Sequence, residues 1–436
     1  MRTTRTARRL LAGIVATALV GVGLVGCASS GGDSSDGKTF TIWQYEAKDS
    51  AQYQSWRDAV TTFKEKHPDV DVKLVSTSFD NMQKNAKLLL TGNKVPDVVE
   101  VNKGNADAGQ LASQGLIENL DPQVQKYGWD EKVKGAMSSL ARYDRNGNAG
   151  SGSWYGVPNI GEVIVWFYNK DAFAKAGITE APTTMDELER DMQTFKDQGT
   201  TPVASGANAF GALWTWYSLV SAKADRKLID NYMFLKGSPS LDSGAFAEGT
   251  EQFQQWIDKG YLGSKLAGVT GDQMDATWLS GKSPLIVEDS AAFNRFKADA
   301  KFDWGTFTLP GASLNAGSSG HLWAVPTKSG NKELAYDWIN TTLSSQVQNA
   351  IGKRAGLPLA GDPSVISDPQ TKALTQQFAD VVDKDQISFF PDYPVPGLLD
   401  FQQSGMQAMV NKTKTADEFT KELQAFYSKG KKQVDG

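Results

Sequence analysis

The sequence predicts an α/β protein with two lobes, each built from separate stretches of the chain and joined by three crossings. Residues 40–101 alternate between strand and helix patterns, and residues 184–301 do so again. Between the two blocks, residues 163–168 (VIVWFY) predict a β-branched and aromatic strand that is apolar on both faces. Such a strand must be covered on both faces. One way to cover it is for the chain to cross here from one sheet to another, where two lobes meet.

Length and composition limit the class of protein. A chain of 436 residues, 40% hydrophobic and 22% charged, is too long for a single core, so two or three domains are expected. Its 12 tryptophans favour a carbohydrate site, because large aromatic rings serve cores but also stack on the apolar faces of sugars. The net charge of -5 argues against nucleic acid and anionic membrane as partners, and removing the arginine-bearing residues 1–26 makes the chain more acidic.

The N-terminus has the pattern of an export signal. Four arginines fall in the first nine residues and an uncharged run, residues 10–26, follows them; the run is short for a membrane-spanning helix. It ends in LVGC at residues 24–27, which looks like a bacterial lipobox with Cys27 as the lipidated residue. An ordinary uncleaved anchor is the alternative. Arg8 and Arg9 leave open whether export uses the general secretory or the twin-arginine route.

Cys27 is the only cysteine in the chain. The chain therefore forms no internal disulfide and has no other thiol for catalysis or metal binding. Residues 27–38 are interpreted as a flexible tether rich in Gly, Ser and Asp. We expect residues 1–26 to be a lipoprotein signal peptide and the protein to be held at the extracellular face of the cytoplasmic membrane only by the lipid on Cys27.

The first block predicts a parallel sheet. Its elements are a strand at 40–45, a helix ending at His67 and Pro68, a strand at 70–74, a helix at 81–90 and a strand at 96–101. In such sheets ligands bind beyond the carboxyl ends of the strands. This rule puts Tyr45, Glu46 and Asn102 at a candidate cleft. For each of them, a solvated loop residue is the alternative.

The second block predicts the other lobe. Its elements are a helix at 184–196 opened by a capping box, a strand at 201–204, an aromatic segment at 207–217, helices at 245–259 and 272–281, a strand at 283–287 and a helix at 291–301. Trp214 and Trp216 cannot both face the ligand, so at least one is expected in the core, and Trp214 is favoured as the contact.

Two acids follow the strand at 283–287. Carboxylates paired in this way suit vicinal hydroxyls, each of which can donate to one carboxylate. Asp289 suits an N-cap equally well, so Glu288 is favoured as the ligand contact.

The remaining chain predicts the return to the first lobe. Residues 304–309 are interpreted as the second crossing and residues 318–325 as a further strand, in which His321 and Trp323 share a face. For both side chains a core role and a ligand contact stay open. A helix at 333–343 leads to a third crossing near Leu343 and a helical C-terminal block, whose last helix is opened by a capping box at 415–418.

Residues 155–158 (YGVP), the strand that follows them and residues 168–171 (YNKD) resemble a signature of the extracellular solute-binding proteins of ABC importers, the sugar-binding family that includes maltose-binding protein. Further matching pieces occur in the same order: PDVV at 96–99, QGLI at 114–117, PTT at 182–184, SGK at 280–282 and NKELA at 331–335. The resemblance implies a type II-like periplasmic-binding-protein fold. It implies one lobe of residues 39–163 and 306–343, and another of residues 164–305 and 344–436.

The resemblance also implies site residues. In similar proteins the loop that matches Glu46 contacts sugar hydroxyls, the turn that matches 207–217 supplies stacking rings, and loops matching those of Arg354 and Tyr393 close over the sugar. The predicted ligand contacts are Tyr45, Glu46, Asn102, Trp214, Trp216, Glu288, Asp289, Trp323, Arg354 and Tyr393.

Catalytic and cofactor motifs lack support. A GxGxxG match at 21–26 lies in the signal segment, and the calcium-loop-like stretch at 144–148 has its glycine too early and Tyr155 at the twelfth position. The sequence contains neither GxSxG nor HExxH. We therefore predict no catalytic residue, no metal site and no cofactor.

The leading hypothesis is a monomeric, lipid-anchored binding protein that captures a sugar or oligosaccharide between two closing lobes and delivers it to ABC transporter permease subunits. A secreted glycoside hydrolase is the rival, because aromatic residues with paired acids also describe a glycosidase cleft. The order of the motifs favours the binding protein, since no acid pair has independent support as acid and nucleophile. The same fold binding a non-sugar solute is a third hypothesis.

Overall fold

The computed structural model describes residues 38–133 and 135–435, which belong to one compact unit. The predictions for residues 1–37, including the signal and Cys27, lie outside the described residues. Among the helices of the described ranges, none combines the length and the apolar character needed to cross a membrane.

The strands of the described residues are short, except for β1, β2 and β7. They are β1 (Lys38–Gln44), β2 (Val70–Ser76), β3 (Val98–Val101), β4 (Arg142–Tyr143), β5 (Ser153–Trp154), β6 (Val157–Pro158), β7 (Glu162–Asn169), β8 (Val203–Ala204), β9 (Leu285–Asp289), β10 (Trp304–Phe307), β11 (Gly317–Ser318) and β12 (Leu322–Ala324).

The helices alternate with these strands and fill the C-terminal part of the chain. They are α1 (Ala51–Lys66), α2 (Phe79–Thr91), α3 (Gln110–Ser113), α4 (Asp121–Tyr127), α5 (Trp129–Lys132), α6 (Ala136–Ser139), α7 (Lys170–Lys175), α8 (Met185–Asp197), α9 (Gly211–Lys223), α10 (Arg226–Met233), α11 (Gly244–Lys259), α12 (Gly271–Leu279), α13 (Phe293–Asp299), α14 (Lys332–Thr342), α15 (Ser345–Lys353), α16 (Pro369–Asp383), α17 (Leu398–Val410) and α18 (Ala416–Asp435).

The first sheet has the strand order β2-β1-β3-β12-β6. β1 pairs in parallel with both β2 and β3, as the sequence predicts, whereas β12 joins β3 and β6 in antiparallel pairing. Phe40 and Ile42 of β1 are fully buried, and the Phe40 ring stacks on Phe63 of α1 with 5.2 Å between centroids. Because β1 and β3 run in parallel, the loops that follow them, at Tyr45 and Asn102, leave the sheet at the same edge.

The second sheet is organised around β7. Its strand order is β10-β7-β9-β8, and β11 pairs with the first residues of β7. Every residue of β7 except Tyr168 is buried, so the prediction of a strand covered on both faces is confirmed. The Trp166 ring packs against Trp256 of α11, and the Phe167 ring packs against Phe296 of α13.

The crossings between the sheets lie partly elsewhere than predicted. β6 belongs to the first sheet and β7 to the second, so the first crossing consists of residues 159–161. The predicted second crossing at 304–309 needs correction, because β10 is hydrogen-bonded to β7 inside the second sheet. The chain returns over residues 319–321, between β11 and β12.

The third crossing lies beyond the predicted position near Leu343. α15 stays with the first sheet, since Gln346 Nε2 donates to Thr62 Oγ1 of α1 at 3.1 Å. α16 belongs to the second sheet, because Gln370 Nε2 donates to the Trp304 carbonyl of β10 at 3.0 Å. The crossing therefore falls between these two helices.

The first two crossings are hydrogen-bonded to each other. The Asn159 N–H donates to the His321 carbonyl at 3.1 Å, and the His321 N–H donates to Asn159 Oδ1 at 3.0 Å. Gly320 has a φ of +64°, and a Cβ at this position would lie 2.2 Å from the Ile160 carbonyl oxygen. Only glycine permits so close an approach of the two chains.

Candidate functional site

A cavity of about 250 Å³ lies where loops from both sheets meet. The first sheet contributes the residues after β1 and β3, and the second contributes Glu162 at the start of β7 and the end of β9. The lining residues are Tyr45, Glu46, Phe79, Asn102, Glu162, Phe210, Trp214, Glu288, Asp289, Ala291, His321, Phe390, Asp392 and Tyr393.

One part of the lining is a row of aromatic rings. Phe210 and Trp214 stack with 4.9 Å between centroids and an interplanar angle of 13°. Phe390 continues the row at 4.9 Å from Trp214, and Tyr393 meets Phe390 edge-on at 5.8 Å. Rings arranged in this way offer apolar faces of the kind that stack on sugar rings.

Acidic side chains form another part of the lining. Burial raises the pKa of Glu288 to about 8, with Asp275 adding to the shift, and burial raises the pKa of Asp392 to about 7. The pKa of Asp289 is also raised well above its usual value, first by burial and then by the charge of Glu162. Carboxyl groups held in this way can accept hydrogen bonds when ionised and can also donate when protonated.

A buried lysine lies beneath the acids. Lys103 is fully buried, with its Nζ 3.5 Å from Glu162 Oε2 and 5.5 Å from the centroid of the Tyr393 ring. Burial lowers the pKa of Lys103, and the nearby charge of Glu162 opposes this effect. The positive charge of Lys103 opposes the rise in the pKa of Asp289 and of Asp392.

A hydrogen-bonded cluster joins the first sheet to the second crossing. Glu46 Oε1 and His321 Nδ1 lie 2.7 Å apart. Glu100 Oε2 accepts from the Tyr45 N–H at 3.1 Å, and Glu100 Oε1 accepts from Asn159 Nδ2 at 2.6 Å. Burial raises the pKa of Glu100 well above its usual value.

The same cluster has the donor types of a metal site. Ligand atoms of Glu46, Glu100 and His321 all lie within 4.8 Å of one another. Both oxygens of Glu100 and the facing atoms of Glu46 and His321 already have protein partners, so these side chains are satisfied by one another.

Seven of the ten predicted contact residues line the cavity. They are Tyr45, Glu46, Asn102, Trp214, Glu288, Asp289 and Tyr393. Asp289 also caps the single turn that follows β9, where its Oδ1 accepts from the Ala291 N–H at 2.7 Å. Asp289 therefore caps a turn and also lines the cavity, and its contact with a ligand stays a prediction.

Three predicted contacts lie elsewhere and need correction. Trp216 is fully buried beside Phe419, because two residues along α9 turn its ring away from that of Trp214. Trp323 is fully buried between Trp56 and Trp338, since its side chain points to the helix-covered face of the first sheet.

Arg354 is the third correction. Its guanidinium forms a half-exposed ion pair with Asp58 of α1, with Nη2 2.6 Å from Asp58 Oδ2. This contact holds the side chain on the outside of α1 and away from the residues that line the cavity.

Sequence reasoning missed several lining residues, among them Phe79, Glu162 and Phe210, and it left His321 undecided. A signal existed for Glu162, since it is a charged residue directly before the run 163–168, which predicts a strand covered on both faces. Phe210 lies in the same aromatic segment as Trp214 and directly precedes α9.

The fold and the cavity together define a ligand-binding protein of the solute-binding class. The family model described as "Bacterial extracellular solute-binding protein" matches residues 47–349. The chain belongs to this family.

Relatives of the chain include proteins that are named for the sugars they bind. The galactooligosaccharide-binding protein of Bacillus subtilis is 25% identical, and the match covers 83% of this chain and 84% of that protein. The diacetylchitobiose binding protein of Streptomyces coelicolor is also 25% identical, over 79% of this chain and 80% of its own length. A probable sugar-binding periplasmic protein of Rhizobium meliloti is 28% identical, but this chain spans only 39% of its length.

Solved structures share the fold. A chitin oligosaccharide binding protein has a TM-score of 0.76 at 20% identity, covering 91% of this chain and 99% of that chain. The GacH receptor of Streptomyces glaucescens, solved unliganded and with acarbose, has a TM-score of 0.73 at 22% identity and covers 91% and 98%. At these identities the likeness establishes the fold alone.

Proposed function

We propose that this solute-binding protein captures a sugar or oligosaccharide in the cavity and, acting as a monomer and without altering its ligand, delivers it to the permease of an ABC importer. The observation that carries the proposal is the lining itself, in which a row of stacked rings meets several carboxyl groups. The rings suit the apolar faces of a sugar and the carboxyl groups suit its hydroxyls. The names of the relatives, which include maltooligosaccharide and galactooligosaccharide binding, support the same class of ligand.

The two sheets are proposed to belong to two lobes that close on the ligand. Residues from both sheets line one cavity, with Tyr45 and Glu46 on the side of the first and Trp214 and Glu288 on the side of the second. A ligand that touches both sides binds the closed state better and shifts the population toward it.

The proposal is tested by calorimetric titration with a panel of mono- and oligosaccharides, followed by incubation with chromogenic glycosides. We expect saturable binding of at least one carbohydrate and no release of chromophore. Turnover of a glycoside would instead support the hydrolase hypothesis. Binding restricted to solutes other than carbohydrates would overturn the sugar assignment and leave the family membership intact.

Trp214→Ala should weaken the binding of the carbohydrate identified by the panel by about 1–3 kcal/mol, because it removes the central ring of the row. Titration calorimetry measures the loss. Trp214→Phe, which keeps an aromatic face, should recover most of the affinity. Unchanged affinity in Trp214→Ala would mean that the ligand does not stack on this ring.

The lipid anchor is also a proposal. It rests on the LVGC run at residues 24–27 and on the name of a relative, the maltooligosaccharide solute-binding lipoprotein of Streptococcus pneumoniae, 25% identical over 75% of this chain. Cys27→Ser should move the protein from the membrane fraction to the soluble fraction, because only this cysteine can carry the acyl chains. Fractionation after a carbonate wash measures this, and a variant that stays with the membrane would contradict the anchor.

A further inference from the structure

The charges around the cavity do not balance. Its lining contains five carboxyl groups and one histidine but no lysine or arginine. The carboxyl groups belong to Glu46, Glu162, Glu288, Asp289 and Asp392.

The nearest basic side chains are already occupied. Lys103 lies beneath the lining and is paired with Glu162 at 3.5 Å. Arg295 lines an adjoining cavity of about 160 Å³, which shares Glu46, Glu288 and Asp289 with the first, and its guanidinium is paired with Asp275. The described residues around the cavity therefore leave several acids without a cation of their own.

One polar atom of the lining is buried without a partner among the described residues. It is the hydroxyl of Tyr45, a residue that is 7% exposed. Glu162 Oε2, by contrast, has the Lys103 ammonium at 3.5 Å. Buried polar groups are normally satisfied, and Tyr45 lines the cavity, so its hydroxyl indicates that a bound molecule completes its hydrogen bonding.

An uncharged ligand and a cationic ligand act differently on these acids. When a ligand expels water from the cavity, each carboxyl group must either stay protonated or lose its hydration as an ion, which costs several kcal/mol for each buried ion. A protonated amine stabilises the ionised form and donates hydrogen bonds to it. The aromatic row adds a further site of attraction, because the face of an indole or phenol ring attracts a cation within about 6 Å of its centroid.

We propose that the ligand of this cavity is a saccharide that carries a protonated amino group. This inference rests on the proposed carbohydrate function and narrows it to amino sugars with a free amine. The faces of the sugar rings stack on the aromatic row formed by Phe210, Trp214 and Phe390. The ammonium group of the sugar lies among the carboxylates near Glu162 and Asp392.

The test compares sugars that differ only in one substituent. Glucosamine, N-acetylglucosamine and glucose are titrated as monomers and as β-1,4-linked oligomers, with the galactose and mannose series alongside them. EDTA is present throughout, so that a divalent ion at Glu46, Glu100 and His321 cannot supply the positive charge. We expect at least one free amine to bind about tenfold or more tightly than its acetylated and hydroxyl counterparts. The preference should shrink at high salt, since it depends on charge.

Two variants locate the effect. Asp392→Asn should reduce the ratio of the affinity for the amine to the affinity for its neutral counterpart, because it removes one charge and keeps the shape. Asp58→Asn also removes one carboxylate charge, but on the outer face of α1, where Asp58 pairs with Arg354. It should change neither the preference for the amine nor the affinity for the neutral sugar.

The outcomes separate the two proposals. Equal or tighter binding of the acetylated or hydroxyl sugars would overturn the inference while the carbohydrate function stood. No binding by any carbohydrate, with or without an amine, would overturn both. An amine preference that survives Asp392→Asn and high salt would show that charge is not its cause, which also overturns the inference.

Discussion

Lys103→Met should lower the free energy of unfolding by about 3–5 kcal/mol at pH 8, the usual cost of removing one partner from a buried ion pair. Lys103 is fully buried, and its Nζ lies 3.5 Å from Glu162 Oε2, which is itself buried. Its charge also holds down the pKa of Asp392 and of Asp289. Methionine fills a volume similar to that of lysine, so the decrease in the free energy of unfolding comes mainly from the missing charge and only to a small extent from altered packing. Urea unfolding measures it.

The loss should be larger at pH 8 than at pH 5. The pKa of Asp392 is already raised to about 7, and without the lysine it rises further. Below this value the folded acid is protonated and does not need the cation, whereas above it the uncompensated charge destabilises the fold. Lys126→Met is the matched control, because its pair with Glu333 is exposed and is expected to contribute little. A loss in Lys103→Met that does not depend on pH would point to packing as its cause.

Trp216→Ala should lower the free energy of unfolding by about 3–5 kcal/mol, as expected when a large buried ring is removed from a core. Its ring is fully buried, packs edge-on against Phe419 of α18 at 5.4 Å, and donates from Nε1 to Thr250 Oγ1 of α11 at 2.8 Å. The substitution therefore leaves a cavity and removes the donor to Thr250 Oγ1, whose hydroxyl keeps its own hydrogen bond to the Phe246 carbonyl at 2.6 Å. Denaturant unfolding measures the effect.

The affinity of Trp216→Ala for the carbohydrate should stay close to that of the unchanged protein at temperatures where the variant is folded. Trp214→Ala provides the contrast in binding: Trp214 is also buried, at 7% exposed, but it lines the cavity, so its loss should weaken binding as well as stability. The two tryptophans lie two residues apart on α9. Comparing the two variants therefore distinguishes a ring that only packs in the core from a ring that lines the cavity. A large loss of affinity in Trp216→Ala would mean that its core position also shapes the cavity.

Elements that depend on local pattern were predictable. The parallel block of β1, β2 and β3 follows from alternating periods of two and about 3.6 residues, and the pairing is as expected. The capping box at Thr184 is confirmed, because Thr184 Oγ1 accepts from the Glu187 N–H at 3.2 Å and Glu187 Oε2 accepts from the Thr184 N–H at 3.2 Å.

Pairing between distant strands was not predictable in the same way. Residues 304–307 do form a strand, but the apolar pattern of a strand does not specify its partner. The partner is β7, more than a hundred residues away, in a register that opposes Trp304 to Asn169. The sequence therefore predicts the strand but places the second crossing too early in the chain.

The site was predicted best where a strand end supplied the residue. Tyr45 and Asn102 are predicted from the rule for carboxyl ends of strands and Glu288 from the pair of acids that follows a strand, and all three line the cavity. Trp323 and Arg354 were assigned from residue type or from the resemblance, and their packing against α14 and Asp58 is visible only in the folded chain. Residue type alone does not distinguish a core ring from a binding ring.

The hydrogen bonds that tie Asn159 to His321 have a mechanical consequence. Because the two strips of chain are hydrogen-bonded to each other, a movement of one sheet against the other that bends one strip must bend the second strip with it or break these bonds. His321 lines the cavity and lies in one of the strips, whereas Trp214 lies on α9, outside both. A ligand that contacts both residues would therefore touch one residue at the joint and one that moves with its sheet.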